Sequence, residues 1–125
     1  MVKSTRRFKK KRLTYKRNQG KLQKVKAFGH VFSPYCIWCQ RMHDDWEALK
    51  KVMKTSPYKH IVKEDVGDNH EAEIQALNAK YNVKFESSLG FPTIFRIIEI
   101  SGNQNALEIY SGERTKTHML KWITH

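Results

Sequence analysis

Residues 31–46 read VFSPYCIWCQRMHDDW, and this stretch decides how the rest of the chain is organised. An apolar, strand-like run ends at Ser33-Pro34, and a helical pattern begins where Cys36 stands. The only two cysteines of the protein, Cys36 and Cys39, therefore fall three positions apart at a strand-to-helix turn. A Cys-x-x-Cys pair in that setting is typical of a redox-active dithiol.

Length and composition limit the class of protein. The chain has 125 residues, enough for one compact domain, and its 39% hydrophobic and 11% aromatic content is typical of a globular chain. No apolar run approaches the roughly 18 residues of a membrane span, and no apolar segment follows the basic start as in a signal peptide. We therefore expect a monomer in the cytoplasm or nucleus, or in a virion assembled there. Two cysteines cannot form a disulfide framework.

The net charge of +12 is concentrated at the N-terminus. Residues 1–26 hold twelve Lys and Arg and no acid, whereas residues 27–125 hold twelve of each sign. We predict a basic, disordered tail over residues 1–23 and one folded domain over residues 24–125. The tail is either a solubilising arm, a nuclear localisation signal, or a contact to nucleic acid or another anionic surface.

Apolar patterns after residue 24 predict four strands, over residues 24–32, 60–66, 93–99 and 106–110. Three helices are predicted between and after them. The first carries a buried face, the second begins at an Asp68/Glu71 capping box, and the third is capped by Thr115. The buried positions expected on the first two helices are Met42, Trp46, Leu49, Met53, Ile74, Leu77 and Tyr81.

The order of these elements predicts an α/β fold, a β-α-β-α-β-β-α unit with a four-stranded mixed sheet. The first two strands are joined through a helix and should be parallel, and the last two form an antiparallel hairpin. The cysteine pair then lies at the carboxyl end of the first strand, where open α/β sheets place their sites.

Thiol–disulfide exchange needs an attacking thiolate and a second thiol that resolves the mixed disulfide. Cys36 begins the helix, where unpaired N–H groups and the helix dipole stabilise a thiolate, so we predict it as the nucleophile. Cys39, one turn further, is the predicted resolving thiol. Tyr35, Ile37 and Trp38 give the surroundings an apolar surface suited to a polypeptide substrate, although Trp38 packed against the domain is an equal alternative.

Zinc binding is the main rival interpretation of the cysteines. Cys36, Cys39 and His43 have ligand-like spacing, with a fourth ligand available among His30, His60 and His70. A structural zinc site usually has a second closely spaced ligand pair, which this chain lacks. We therefore predict neither a metal nor a cofactor.

Three motifs together resemble the thioredoxin-fold superfamily, and in particular the catalytic domains of protein disulfide isomerases. The motifs are the strand–CxxC–helix segment, Gly90-Phe91-Pro92-Thr93, and the Tyr-x-Gly-x-Arg-Thr run over residues 110–115. The resemblance implies a cis peptide before Pro92, which would place Phe91 and Pro92 beside the cysteines, with the Phe91 backbone free to pair with a substrate strand. It also implies that Arg114 approaches the site, an ordinary solvated arginine being the alternative.

The chain departs from that family in four places. Ile37-Trp38 separates the cysteines, so a redox potential cannot be transferred. His30 stands where the family keeps a buried acid, and it is either a proton acceptor or a hydrogen-bonded core residue. The basic tail offers no counterpart to the family's first strand and helix. The loop before Gly90 is longer than usual.

These observations predict a thiol–disulfide oxidoreductase acting on protein disulfides through Cys36 and Cys39. The alternative is a redox-inert thioredoxin-like adaptor whose basic tail binds nucleic acid or an anionic surface.

Overall fold

A computed structural model gives the structure of the protein and describes residues 24–86, 90–102 and 104–125. The predicted basic tail, residues 1–23, lies outside the described residues, as do residues 87–89 of the loop before Gly90.

The described residues form three helices and one four-stranded mixed sheet. In the sheet order β2-β1-β3-β4, β1 is parallel to β2 and antiparallel to β3, and β3 is antiparallel to β4. The predicted fold class is confirmed. The elements are β1 (Val25–Val31), α1 (Ile37–Met53), β2 (Val62–Lys63), α2 (His70–Tyr81), β3 (Thr93–Ser101), β4 (Gln104–Ile109) and α3 (Lys116–Thr124).

Helices cover both faces of the sheet, so the protein has two apolar layers. On one face, α1 and α3 pack against the sheet, with Trp46, Leu49 and Met119 beside Phe28 of β1. On the other face, α2 packs against side chains of β1 and β3. All seven helix positions predicted to be buried are buried, because helical spacing of 3.6 residues places them on one face of each helix. Among the helices of the described residues, none is long and apolar enough to cross a membrane.

The second strand is shorter than predicted. Residues 60–66 were expected to form it, but β2 covers only Val62–Lys63, followed by an isolated bridge between Val31 and Val66. The cause is Asp65, whose carboxylate accepts the backbone N–H of His30 at 3.1 Å. The His30 N–H therefore bonds to a side chain and not to a backbone carbonyl of the neighbouring strand, and the regular pairing stops there.

The predicted capping box at the start of α2 is wrong. The N-cap is Asn69, and the carboxylate that reaches back is that of Glu73, which accepts the backbone N–H groups of Gly67 and Asn69, both at 2.9 Å. The helix begins at His70, so Asp68 and Glu71 do not have capping-box spacing relative to its real N-cap. The third helix follows the prediction, since the Thr115 side chain caps it by accepting the backbone N–H of His118.

Candidate active site

A tight turn after β1 sets the position of Cys36. The Ser33 carbonyl accepts the backbone N–H of Cys36 at 3.1 Å, and the Gln40 side-chain amide donates to the Pro34 carbonyl at 2.8 Å. Cys36 is the N-cap of α1, with extended backbone angles of φ −87° and ψ 119°. The predicted strand-to-helix junction is therefore where the first cysteine lies.

The Cys36 sulfur caps the helix, since it accepts the backbone N–H of Cys39 at 3.3 Å. Desolvation works to raise the pKa of Cys36. It is outweighed by hydrogen bonds from Cys39 and from the Trp38 backbone and by the positive charge of Arg114, which together hold the pKa of Cys36 below its ordinary value. No acidic residue stands in the first turn of α1 to oppose this effect. The geometry favours a thiolate at Cys36.

Cys39 is in the opposite situation. Its side chain faces the protein and the residue is only 9% exposed. Burial, followed by the hydrogen bond with Cys36, raises the pKa of Cys39 to about 11. Both cysteines are free thiols. The pair therefore contains one accessible cysteine with a lowered pKa and one buried cysteine with a raised pKa.

A cleft of about 450 Å³ opens on the inner side of the pair, and we refer to it as the proton cleft. Its walls bring Cys39, His30 and Asp65 to one cavity, with Trp46 and His43 also lining it. His30 is buried, at 8% exposure. The structure thus places Cys39 in the same cavity as His30, for which the sequence leaves open a proton acceptor or a hydrogen-bonded core residue.

His30 is paired with Asp65, which the sequence analysis did not single out. The ring Nδ1 of His30 lies 2.7 Å from Asp65 Oδ1, and the indole N–H of Trp46 donates to Asp65 Oδ2 at 3.4 Å. Burial works to raise the pKa of Asp65, but hydrogen bonding and charge from His30, with Lys63 beyond, hold it below its ordinary value. An ionised carboxylate can only accept, so the Nδ1 atom carries the proton and Nε2 of a neutral His30 is left as an acceptor.

The surface around Cys36 is apolar. Tyr35 is 93% exposed, and Ile37, Trp38 and Phe91 each expose about half of their surface. We call these four side chains the rim. Trp38 is thus partly packed against the domain and partly exposed. Its indole faces the Arg41 guanidinium, 4.9 Å from the ring centroid, in a cation–π arrangement.

Phe91 and Pro92 lie at the same end of the sheet as the cysteines because of the register between β1 and β3. Val31, the last residue of β1, pairs with Thr93, the first of β3, so the residues just before β3 lie beside the turn that leads to Cys36. The Phe91–Pro92 peptide bond is cis. The ring of His70 packs against Phe91 in a tilted arrangement with centroids 4.7 Å apart, while its Nε2 lies 2.8 Å from the Phe32 carbonyl oxygen. His70 thereby ties this segment to the residue that follows β1.

Arg114 lies on the other side of Cys36. It lines a groove with Trp38, Arg41 and Gly112. Its positive charge favours the thiolate form of each cysteine, but at Cys39 this effect is outweighed by burial. The guanidinium is exposed, so the effect is screened by water. Arg114 is placed to favour either sulfur as a thiolate, without a direct contact to one.

Comparisons with known proteins address the fold. No protein-family model and no curated protein matches the sequence. Solved structures do match. The J-Trx1 fragment of ERdj5 is 15% identical with a TM-score of 0.51, over 80% of this chain and 41% of that one. The first two thioredoxin domains of Naumovozyma dairenensis Eps1p are 23% identical with a TM-score of 0.52, over 81% and 35%.

A third match is the first thioredoxin domain of mouse Protein disulfide-isomerase A4, at 18% identity and a TM-score of 0.50, over 78% of this chain and 59% of that one. The protein has the thioredoxin fold. The predicted resemblance is confirmed at that level, since the matched structures are thioredoxin domains and domains of a protein disulfide isomerase. The chain spans less than two thirds of the length of each of these structures.

On this thioredoxin fold, the zinc interpretation finds no ligand set. His43 and His30 share the proton cleft with Cys39, but no group of three or more His, Cys, Asp or Glu side chains among residues 24–86, 90–102 and 104–125 is arranged to hold a metal ion. His70 is engaged with Phe32 and Phe91 instead.

Proposed function

We propose that the protein is a thiol–disulfide oxidoreductase acting on protein disulfides, with Cys36 as nucleophile and Cys39 as resolving thiol. One observation supports this most directly: the pKa values of the two cysteines are shifted in opposite directions. The pKa of Cys36 is lowered at an accessible helix start, while that of Cys39 is raised to about 11 in the proton cleft. A pair of inert core cysteines would have no reason to differ in this way.

The proposed reaction has two exchange steps. The Cys36 thiolate attacks one sulfur of a substrate disulfide, the substrate S–S bond breaks, and the other substrate sulfur leaves as a thiolate. The Cys39 thiolate then attacks the Cys36 sulfur, which forms the Cys36–Cys39 disulfide and releases the second substrate thiolate. The substrate gains two electrons and the cysteine pair loses two. Run in reverse, the same steps oxidise a substrate dithiol.

The second step needs a proton acceptor, because a thiol with a pKa of about 11 is almost wholly protonated at neutral pH. We assign this role to His30, held by Asp65 in the tautomer that leaves Nε2 free. Histidine is a common general base in proteins. His30, Asp65 and Cys39 line one cavity, which supports the assignment.

The rim supports a polypeptide as the substrate. Four exposed apolar or aromatic side chains around a reactive sulfur can bury apolar segments of a partially unfolded chain. Phe91 adds a backbone edge beside Cys36 against which an extended substrate segment can pair.

Single-cysteine variants test the assignment. Cys36→Ser should reduce a model protein disulfide no faster than buffer with the same thiol reductant. Cys39→Ser should instead retain the first step and accumulate a mixed disulfide, visible as a mass increase equal to the substrate and reversed by dithiothreitol. Undiminished turnover by Cys36→Ser, or a trapped adduct in that variant and not in Cys39→Ser, would contradict the proposed roles.

The role of His30 has a separate readout. In His30→Phe, Cys36 should react with an alkylating agent at the wild-type rate, whereas release of the substrate from the mixed disulfide should slow. Equal slowing of both steps would mean that His30 acts only through packing.

A further inference from the structure

A basic surface lies around the C-terminal end of α1, and one of its lysines, Lys50, also lines the proton cleft. Residues 48–63, which cover the end of this helix and the segment leading into β2, contain five lysines, one histidine and no acid. Residues 27–125 hold equal numbers of acidic and basic side chains, so this concentration of positive charge is local. The basic residues are Lys50, Lys51, Lys54, Lys59, His60 and Lys63.

Four of these lysines surround one groove, which we call the first basic groove. Its volume is about 360 Å³, and its floor is apolar, formed by Phe28, Met53, Ile61 and Val62. No acidic side chain lines it. The lysines at its walls are Lys50, Lys54, Lys59 and Lys63.

A second basic groove, of about 400 Å³, shares Val62 with the first. Lys24, Lys26 and His60 line it, together with one acid, Glu99. The two grooves adjoin at Val62 on β2, an edge strand of the sheet, and we call them together the basic band.

Much of this charge has no internal partner. Lys50 pairs with Glu47 at 2.8 Å, while Lys63–Asp65 and Lys24–Glu99 are longer contacts of 3.6 and 3.8 Å. Within the part of the chain that the structure describes, Lys26, Lys54 and Lys59 form no ion pair.

Two roles in folding would explain the positions of only some of these lysines. Lysines in the last turn of α1 offset the helix dipole, and a lysine on an edge strand discourages pairing with other chains. Neither explanation covers Lys59, which lies between α1 and β2, or Lys26, which lies on β1 beside the edge strand.

We propose that this band binds the phosphate backbone of nucleic acid. Lysine ammonium groups act as point charges on phosphates, and an elongated band of them matches a linear polyanion. The described chain begins in the band at Lys24, and residues 1–23 add ten more Lys and Arg and no acid. A lipid surface fits less well, because the exposed aromatic residues are those of the rim, at the other end of α1. The inference does not depend on the redox activity.

Salt dependence measures the contribution of the band separately from that of the basic N-terminal segment. Each duplex phosphate that a protein neutralises adds about 0.9 to the slope of log affinity against log salt concentration. Removing three contacts should lower the slope by about 2.7, so between 50 and 200 mM salt the wild type should lose roughly 40-fold more affinity than the variant.

The test uses the full chain and a fluorescent 20-base-pair duplex, with affinity measured by anisotropy at several salt concentrations. The variant is Lys26→Gln/Lys54→Gln/Lys59→Gln, which removes the three lysines that line the grooves and form no ion pair. The matched control is Lys84→Gln/Lys116→Gln/Lys121→Gln, which removes three lysines outside both grooves. We expect the slope to fall in the first triple variant and to stay at the wild-type value in the control.

Equal slopes in the two triple variants would overturn the proposal and assign any binding to residues 1–23. Failure of the wild type to bind the duplex at 50 mM salt would also overturn it, as would a preference for vesicles of anionic lipid. Thermal unfolding of both variants serves as the check on folding, since all six lysines are at or near the surface.

Discussion

The two cysteines should differ sharply in their reactivity toward an alkylating agent. A thiol with a pKa of about 11 is ionised in only about 1 molecule in 10,000 at pH 7, against roughly 1 in 100 for a thiol at the ordinary value of 9.0. A more basic thiolate is also a better nucleophile, by about eightfold over this interval, which leaves Cys39 about tenfold slower than an ordinary thiol. Burial slows it further. Cys36, with a lowered pKa, should be faster than an ordinary thiol.

The measurement is a pulse of iodoacetamide on the fully reduced protein, followed by quantification of the two cysteines by mass spectrometry. The cysteines are separated for this purpose by digestion after Trp38 or by fragmentation of the shared peptide. We expect Cys36 to be modified more than about tenfold faster than Cys39 at pH 7. The Cys36 rate should rise with pH and reach half of its plateau below pH 9.0, because the thiolate is lost only as the pH falls through the lowered pKa.

Two controls separate acidity from access. In guanidinium chloride both rates should converge, because the hydrogen bonds and burial are lost. In Cys36→Ser, Cys39 should speed up somewhat, since Cys36 helps to raise its pKa, yet stay slower than in denaturant because burial is the larger cause. Equal native rates for the two cysteines, or a Cys36 rate that reaches half of its plateau only above pH 9.0, would refute the reasoning.

Three further predictions concern stability, each measured by urea unfolding. The pKa of Asp65 is lowered in the folded state, so its carboxylate stabilises the protein above its unfolded pKa and this contribution disappears as the pH falls through the folded value. The stability difference between wild type and Asp65→Asn, which weakens the pair with His30, should therefore shrink from pH 6 to pH 3, and a difference that grows would contradict this. Gly29→Ala should cost about 1–3 kcal/mol, because a Cβ there overlaps the backbone carbonyl of Glu64; an unchanged midpoint would show that the strands can separate at no cost. Asp45→Ala should cost about 1 kcal/mol, because the Asp45 carboxylate accepts the first backbone N–H of α3 at 2.9 Å, and Asp45→Asn should recover part of that loss.

The sequence was most informative where local pattern determines structure. The spacing of Met42, Trp46 and Leu49 predicts the buried face of α1 because one helix generates its own periodicity. The junction at Cys36 was likewise predictable from Pro34 and the change in pattern around it. The mixed sheet followed from the order of elements, because crossover connections leave few arrangements open.

Two features that escaped prediction depend on pairing between distant segments. Asp65 reaches His30 across 35 positions, and only the register of β2 against β1 brings them together. A usable signal was present, since Asp65 is an acid near the end of a predicted strand beside the one that leads to Cys36. The contact of His70 with Phe91 likewise requires the start of α2 and the start of β3 to meet at the same edge.

Helix α1 also determines how the two ends of the molecule influence each other. It has 17 residues, so its axis is about 25 Å long, and it runs from the cysteine pair to Lys54. At physiological ionic strength, charges interact over a screening length of about 8 Å, so this axis spans about three screening lengths. An anion bound at Lys54 therefore contributes almost nothing to the electrostatic potential at Cys36.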